Sequence, residues 1–390
     1  MVPEGWVLGQ VSDVCRFQNG YGFTPPVWDT QGLPIIRIQN LNGSKNFNYF
    51  SGDPDPKWIV EPGQMLFAWA GTKGASFGPT VWQGETGVLN QHIFKVFESD
   101  GVSHDWLHLV LRHVTDRIET KAHGFKATLV HVKKSDIERQ PIHIPPLPEQ
   151  RKIADILSTW DRAIEVTEAL LATARTQKRA LMQSLLTGKR RFPEFEGKEW
   201  IEVRMGDVAY EVSERNKDDA DYTVISCTKT IGFVNSLDYF KKQVFSEDLT
   251  GYKIIRRNQI GYPSNHVEEG SIGIQNLHDA ALVSPIYTIF ETGPEVDPHF
   301  LFRVLKTDRY RQMFAAATNA SVDRRGSLRW KAFSTLKLLL PSMAEQIRIN
   351  QALQNAEEEV VGCEAQVAKL RAEKKALMQQ LLTGKRRVVV

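Results

Sequence analysis

Residues 178–191 read KRALMQSLLTGKRR, and residues 374–387 read KKALMQQLLTGKRR. Only Arg179/Lys375 and Ser184/Gln380 differ, and the shift, 374 − 178 = 196, is about half of the 390-residue chain. A near-verbatim repeat at half-length marks a polypeptide built as two copies of one plan. Within each copy, the Thr-Gly at 187–188 or 383–384 followed by a Lys-Arg-Arg triplet suits a helix end. Glycine can turn left-handed there, and cations meet the negative end of the helix dipole.

Upstream of the first copy, PPLPEQRKIADILSTWDRAIEVTEALLATARTQKRALMQSLL runs from Pro145 to Leu186 with neither glycine nor proline after Pro148. Ile153, Leu157, Trp160, Ile164, Thr167, Leu171, Ala174, Leu181 and Leu185 follow a 4-3-4-3 spacing that only Lys178 interrupts. This is a heptad seam, and it predicts a helix roughly 57 Å long. Pro148 and Glu149 suit its start. Adding 196 to each position gives Ile349, Leu353, Ala356, Val360, Cys363, Val367, Leu370, Leu377 and Leu381, with Lys374 as the lone polar seam residue. Pro145 and Glu149-Gln150 recur as Pro341 and Glu345-Gln346, and Ser342-x-x-Glu345 predicts a capping box. A helix with one narrow apolar stripe needs a partner. The simplest partner is the other copy, packed antiparallel about a pseudo-two-fold axis.

The expected organisation is therefore a globular segment at 1–144, a spacer helix at 145–188, a second globular segment at 189–340 and a C-terminal spacer helix at 341–390. Both globular segments read as mixed α/β, giving an α+β fold class overall. Short β-rich runs (Ile35–Ile38, Met65–Trp69, Ile93–Phe97; Thr223–Cys227, Ala281–Val283, Ile286–Phe290) alternate with turn-formers. Each segment has one late helix: SHDWLHLVLRHVTDRI with Ser103 as N-cap, and DPHFLFRVLKTDRYRQMF with Asp297 as N-cap. Trp6/Trp200 and Trp106-Leu107/Phe300-Leu301 recur at an offset of 194. The two segments read as divergent copies of one fold.

Composition excludes little else. Charged residues make up 24% and apolar residues 42%, as in an ordinary globular protein. The formal charge is +3 with a pI of 8.6, which permits an acidic partner without requiring one. No apolar run is long enough to span a membrane, and the start, MVPEGWVLGQ, has no secretory pattern. Three scattered cysteines, Cys15, Cys227 and Cys363, suit a reducing cytoplasm and argue against a disulfide framework or a Cys-based zinc cluster.

The order of variable segment, PPLPEQ-type helix, LLTGKRR ending, second variable segment, and EQIRINQAL helix with a second LLTGKRR resembles the specificity subunit of Type I restriction–modification systems. VEPGQMLFAWAGTKGASFG (60–78) and VSPIYTIF (283–290) resemble elements of target recognition domains. The resemblance covers the whole chain. It implies two target recognition domains, each reading half of a split asymmetric site in double-stranded DNA, with the paired helices fixing the gap. It also implies docking of two DNA-methyltransferase subunits, with restriction subunits joining the complete complex. The methyl donor and ATP sites then belong to those partners, so the chain itself needs no cofactor. The second helix opens LPSMAEQ where the first has PPLPEQ, so the two docking surfaces need not be equivalent.

Arginine and lysine suit base-edge and phosphate contacts. Candidates for DNA contact are Arg324, Arg325 and Arg329 in VDRRGSLRW, Lys73 in GTKGASFG, Lys126 and Lys133, then Arg37 and Lys229. Each can equally be a solvated basic residue, and the glycine loop can simply join strands. The Lys-Arg-Arg triplets either cap the helices or touch DNA or a partner. They do not form a phosphate loop, because Gln183 and Gln379 stand where the loop's first glycine belongs. His104, His108 and His113 share a helix without a metal-site spacing and read as structural. Catalysis has no visible home in the chain. Two other readings stay open: the specificity component of a system whose partner fuses methylase and nuclease, and a coiled-coil scaffold that never touches DNA.

Overall fold

The computed structural model describes residues 2–121, 129–218, 220–265, 267–319 and 327–390. Its helices include α1 (His104–Lys121), α2 (Leu147–Leu185), α3 (Pro298–Leu305), α4 (Asp308–Asn319) and α5 (Met343–Leu382). The chain divides into two compact units, one of residues 1–169 with 365–390 and one of residues 170–364. This division cuts across the linear segments expected from sequence. Each unit takes a globular segment, part of α2 and part of α5.

In the first unit, β1 (Val7–Gln10), β2 (Cys15–Asn19), β3 (Met65–Ala68), β4 (Gly78–Val81), β5 (Ile93–Glu98) and β6 (Pro141–Ile144) matter most. A four-stranded antiparallel sheet runs in the order β2-β5-β3-β4, while β1 and β6 form a separate ribbon. Helix α1 buries Trp106, Leu107, Leu111 and Val114 in one core with Phe67, Phe94 and Val96. The same core takes Ile153 and Leu157 from the start of α2 and Met378 and Leu381 from the end of α5. Full burial of a side chain such as Leu157 contributes roughly 1.5–3 kcal/mol, so both helices are anchored in the domain.

The second unit repeats this plan. Its strands include β7 (Ile201–Arg204), β8 (Ala209–Val212), β9 (Ile225–Thr228), β10 (Gly232–Asn235), β11 (Ile260–Pro263), β12 (Gly273–Ile274), β13 (Tyr287–Thr292) and β14 (Lys337–Leu340). The sheet order β8-β13-β11-β12 matches the first sheet strand for strand, and the β7-β14 ribbon matches β1-β6. Phe300 stands where Trp106 stood, and Leu185, Ile349 and Leu353 supply the helix anchors.

Within each unit the long helices run antiparallel. In the first, Asp161 faces Lys374 and Glu168 faces Arg371 (2.6 Å); in the second, Arg175 faces Glu364 (2.6 Å) and Lys178 faces Glu357 (3.1 Å). As numbers rise along α2 they fall along α5. Along the seam Ile153, Leu157, Ala174, Leu185, Ile349, Leu353, Ala356, Val367 and Leu381 are buried. Trp160, Ile164, Leu171, Leu181, Val360, Leu370 and Leu377 are half-buried. The two polar seam positions are explained by their partners: Lys374, itself buried, pairs with Asp161, and Lys178 pairs with Glu357, the counterpart of Asp161 at 161 + 196.

Two expectations need correction. DPHFLFRVLKTDRYRQMF is not one helix but two, α3 and α4, broken at Lys306-Thr307. The Lys306 ammonium donates to the carbonyls of Lys229 and Gly270 (both 2.9 Å), and the Thr307 hydroxyl turns back onto the Val304 carbonyl (2.7 Å). The predicted capping box is half made. Ser342 Oγ accepts from Glu345 N at 3.4 Å, but the Glu345 carboxylate is engaged elsewhere.

Candidate functional site

That engagement is built twice. Glu345, 1% exposed near the start of α5, accepts Arg191 Nε (2.8 Å), Arg191 Nη2 (2.6 Å) and Trp200 Nε1 (3.1 Å). Glu149, at the start of α2, accepts both Arg387 Nη2 and Trp6 Nε1 (3.1 Å). A two-point contact between guanidinium and carboxylate is a strong and directional form of ion pair. Hydrogen bonding to Glu345 pushes the Arg191 guanidinium above its ordinary pKa, so it stays charged throughout the accessible range. The last arginine of each Lys-Arg-Arg triplet is therefore a latch. It ties the end of one long helix directly to the beginning of the other, and a tryptophan of the globular segment donates to the same carboxylate.

The neighbouring glutamine completes the joint. Gln150 accepts from Ser103 N (2.8 Å) at the start of α1 and donates to Pro145 O (2.9 Å). Gln346 accepts from Asp297 N (2.8 Å) at the start of α3 and donates to Pro341 O (2.9 Å). Both glutamines are buried and hydrogen-bonded through both amide atoms, which accounts for the glutamine of the Glu-Gln dipeptide in each copy. Gly188 and Gly384 take positive φ of 69° and 70°, the left-handed turn that swings each arginine back.

Of the residues proposed for DNA contact, Arg324, Arg325 and Lys126 lie outside the described residues. Arg329 is exposed at the N-cap of a short helix, beside Trp330, whose ring lies against Phe290 and Phe333 at 5.6 and 5.7 Å. Lys73 donates to Glu119 O (3.0 Å) and Gly74 N donates to Glu119 Oε1 (2.8 Å), so the glycine loop is pinned to the end of α1. Lys133 is exposed at the N-cap of a short helix. Arg37 lies over the Trp28 ring at 4.9 Å, and its buried Nε finds no partner among the described residues. Lys229 is exposed in the β9–β10 turn and paired with Glu269.

Sequence reasoning missed two surface groupings that combine cations with exposed apolar rings. In the first unit, exposed Tyr21 stacks on Trp58 at 4.1 Å, with the Lys57 ammonium 5.0 Å from the Trp58 ring. In the second, Ile231, Leu237, Tyr239 and Phe240 are exposed beside the exposed Lys241 and Lys242. Rings of this kind suit base stacking or methyl contacts, and the cations suit phosphates. The interleaving of aromatic and basic residues in KTIGFVNSLDYFKK was the available signal.

His108, on α1, is uncharged at neutral pH. Burial, then the charge of Arg112, pushes the His108 pKa down to about 4, and burial also lowers that of His113. Among the described residues no three His, Cys, Asp or Glu side chains group as a metal site, and no helix is long and apolar enough to cross a membrane.

Each unit thus carries one copy of the same α+β fold, with the same sheet order, Arg–Glu latch and glutamine joint. The model of the Type I restriction modification DNA specificity domain matches residues 3–175. The Type I restriction enzyme MjaVIII specificity subunit of Methanocaldococcus jannaschii is 22% identical over 99% of this chain and 94% of its own length. The EcoBI specificity subunit of Escherichia coli is 24% identical over 48% of this chain and 40% of its own. Among solved structures, an S subunit from M. genitalium aligns over 98% of this chain and 96% of its own with a TM-score of 0.54 at 14% identity. A chain from a study of assembly and conformational transition of the Type I system aligns over 98% and 99% with a TM-score of 0.61 at 17% identity. Residues 3–175 thus match the model of that specificity domain, and over nearly its whole length the chain is similar in sequence and in fold to Type I specificity subunits.

Proposed function

We propose that the chain reads a bipartite, asymmetric site in double-stranded DNA, one half per globular segment, for a Type I restriction–modification complex. The long helices set the gap between half-sites and receive two methylation subunits, and restriction subunits complete the assembly. The methyl-transfer and ATP chemistry lie in those partners. The observation that carries this reading is the pairing of one frame with two readers. The latch, the glutamine joint and the sheet order recur in both units, while the surface loops bear unrelated sequences. Arg37, Lys73, Lys126, Lys133, Lys229, Arg324, Arg325 and Arg329 remain the proposed DNA contacts, joined by Lys57, Lys241 and Lys242. Mapping methylated adenines in host DNA by single-molecule sequencing tests the proposal directly. A split motif with two unlike halves is expected; a continuous or palindromic motif overturns it. In vitro, binding should weaken steeply with added salt, and salt-independent binding would favour a scaffold.

A further inference from the structure

The short helix Ser236–Phe240, which follows β10 in the second unit, is built inside out. Short helices elsewhere bury their apolar side chains: Val11 and Val14 in Val11–Val14, Met205 and Val208 in Met205–Val208. Here the buried residue is Ser236, with 0% of its surface exposed, while Leu237, Tyr239 and Phe240 expose 54, 47 and 40% of theirs. The chain stays exposed through Lys241, Lys242, Gln243 and Val244. Apolar burial is the dominant drive to fold, so three large apolar side chains left together in water call for an occupant. The helix is held firmly from beneath. Ser236 N donates to Val224 O (3.0 Å), and its hydroxyl meets that of Ser226 (2.8 Å). Asn235 Oδ1 lies 2.8 Å from His278 Nε2, and the Asn235 amide nitrogen donates to Asp238 (3.1 Å). The Tyr239 and Phe240 rings brace each other edge to face at 5.0 Å. Side chains ordered in advance lose less entropy on binding.

The charges around the rings select the occupant. Lys241 closes the helix at a φ of 55°, a left-handed conformation that glycine would adopt at less cost. Lys242 follows it, and among the described residues no hydrogen bond or ion pair engages either ammonium group. The one carboxylate on the helix, Asp238, is held by Asn235. Lys229, at the other end of β10, is already paired with Glu269. Residues 237–244, exposed without interruption, thus form a projection with an aromatic tip and two unpaired cations. Such a projection fits a groove with anionic edges. Duplex DNA has that form: phosphates line its grooves, and apolar side chains inserted between base pairs unstack and kink it.

We propose that Tyr239 and Phe240 wedge into one base step of the half-site that the second unit reads, with Lys241 and Lys242 on the flanking phosphates. This rests on the proposed function and adds a way of reading to it: the second unit senses how readily one step opens, as well as base edges. Pyrimidine–purine steps open most readily, so that half-site should contain one. The test uses the full chain without partners and duplexes carrying the split site returned by methylation mapping, with 2-aminopurine placed in turn at its adenines. Fluorescence should rise through unstacking at one step, in one half-site only. Tyr239→Ala with Phe240→Ala should abolish that rise and weaken specific binding by about tenfold or more, with the salt dependence unchanged. Lys241→Ala with Lys242→Ala should keep the rise and lower the slope of log affinity against log salt by roughly 2. A mismatch placed at the opened step supplies the unstacking in advance, so it should tighten binding by the unaltered chain; this arm needs no variant to fold. Unchanged fluorescence and affinity in the aromatic variant, or no unstacking anywhere in a site that the unaltered chain binds, would overturn the wedge and leave the proposed function standing. So would an aromatic variant that binds DNA as before but no longer binds the purified methylation subunit, which would assign the projection to a protein surface. An unaltered chain with no salt-dependent DNA binding would overturn the function itself.

Discussion

Glu345 does more work than its place in a capping motif suggests. Replacing it with Ala would strand the Arg191 guanidinium and the Trp200 N–H against the start of α5, and the second unit should lose roughly 3 kcal/mol in urea unfolding. Arg191→Ala should cost a similar amount, and the double variant little more than either, because all three groups form one unit. Glu357 offers a second readout. Burial alone would raise its carboxyl, but hydrogen bonds and charge from Arg303, then Lys178, hold it below its ordinary value of 4.5. Since the folded pKa is depressed, the stabilisation is complete above about 4.5 and is lost as pH falls through the folded value. Glu357→Gln should therefore flatten the acid limb of a melting-temperature profile for the second unit; an unchanged limb would remove Glu357 from that role. Neither carboxylate's partner was legible in sequence. The Glu-Gln dipeptide was visible as a repeat, but its arginine lies 154 residues away from Glu345 and 238 from Glu149, beyond any local pattern.

Elements were far more legible than their contacts. The 4-3-4-3 spacing identified α2 and α5, because a narrow stripe can be buried only against another such stripe. Even its flaw was informative, since Lys178 and Lys374 each meet a carboxylate across the helix pair. The break between α3 and α4 was not legible, because LKTDRY holds no glycine or proline. What ends α3 there is the tie from Lys306 to two carbonyls of the opposite loops. Leu157 and Leu353 occupy the same place in the two copies, and both are fully buried. Truncating either to Ala should cost about 2–5 kcal/mol. The losses should appear in different units when unfolding is followed by hydrogen exchange: around α1 for Leu157→Ala, around α3 for Leu353→Ala. Equal loss of protection in both would show that the two units unfold as one.

At the scale of the whole chain, duplication separates what is held constant from what is free to vary. Latch, joint and seam recur because each copy must grip both helices. The loops diverge because nothing in that grip constrains them. If the helices set the gap, lengthening them should change the gap and nothing else. Four residues inserted at the midpoint of each long helix add about one turn, roughly 6 Å of rise. Against B-DNA, where about 10 base pairs span 34–36 Å, that is a gap longer by one or two base pairs. Methylation mapping of a strain carrying the lengthened chain should return both original half-sites with the wider gap. If the half-site sequences changed instead, the readers would not be independent of the helices; if the old gap persisted, the helices would not be the ruler.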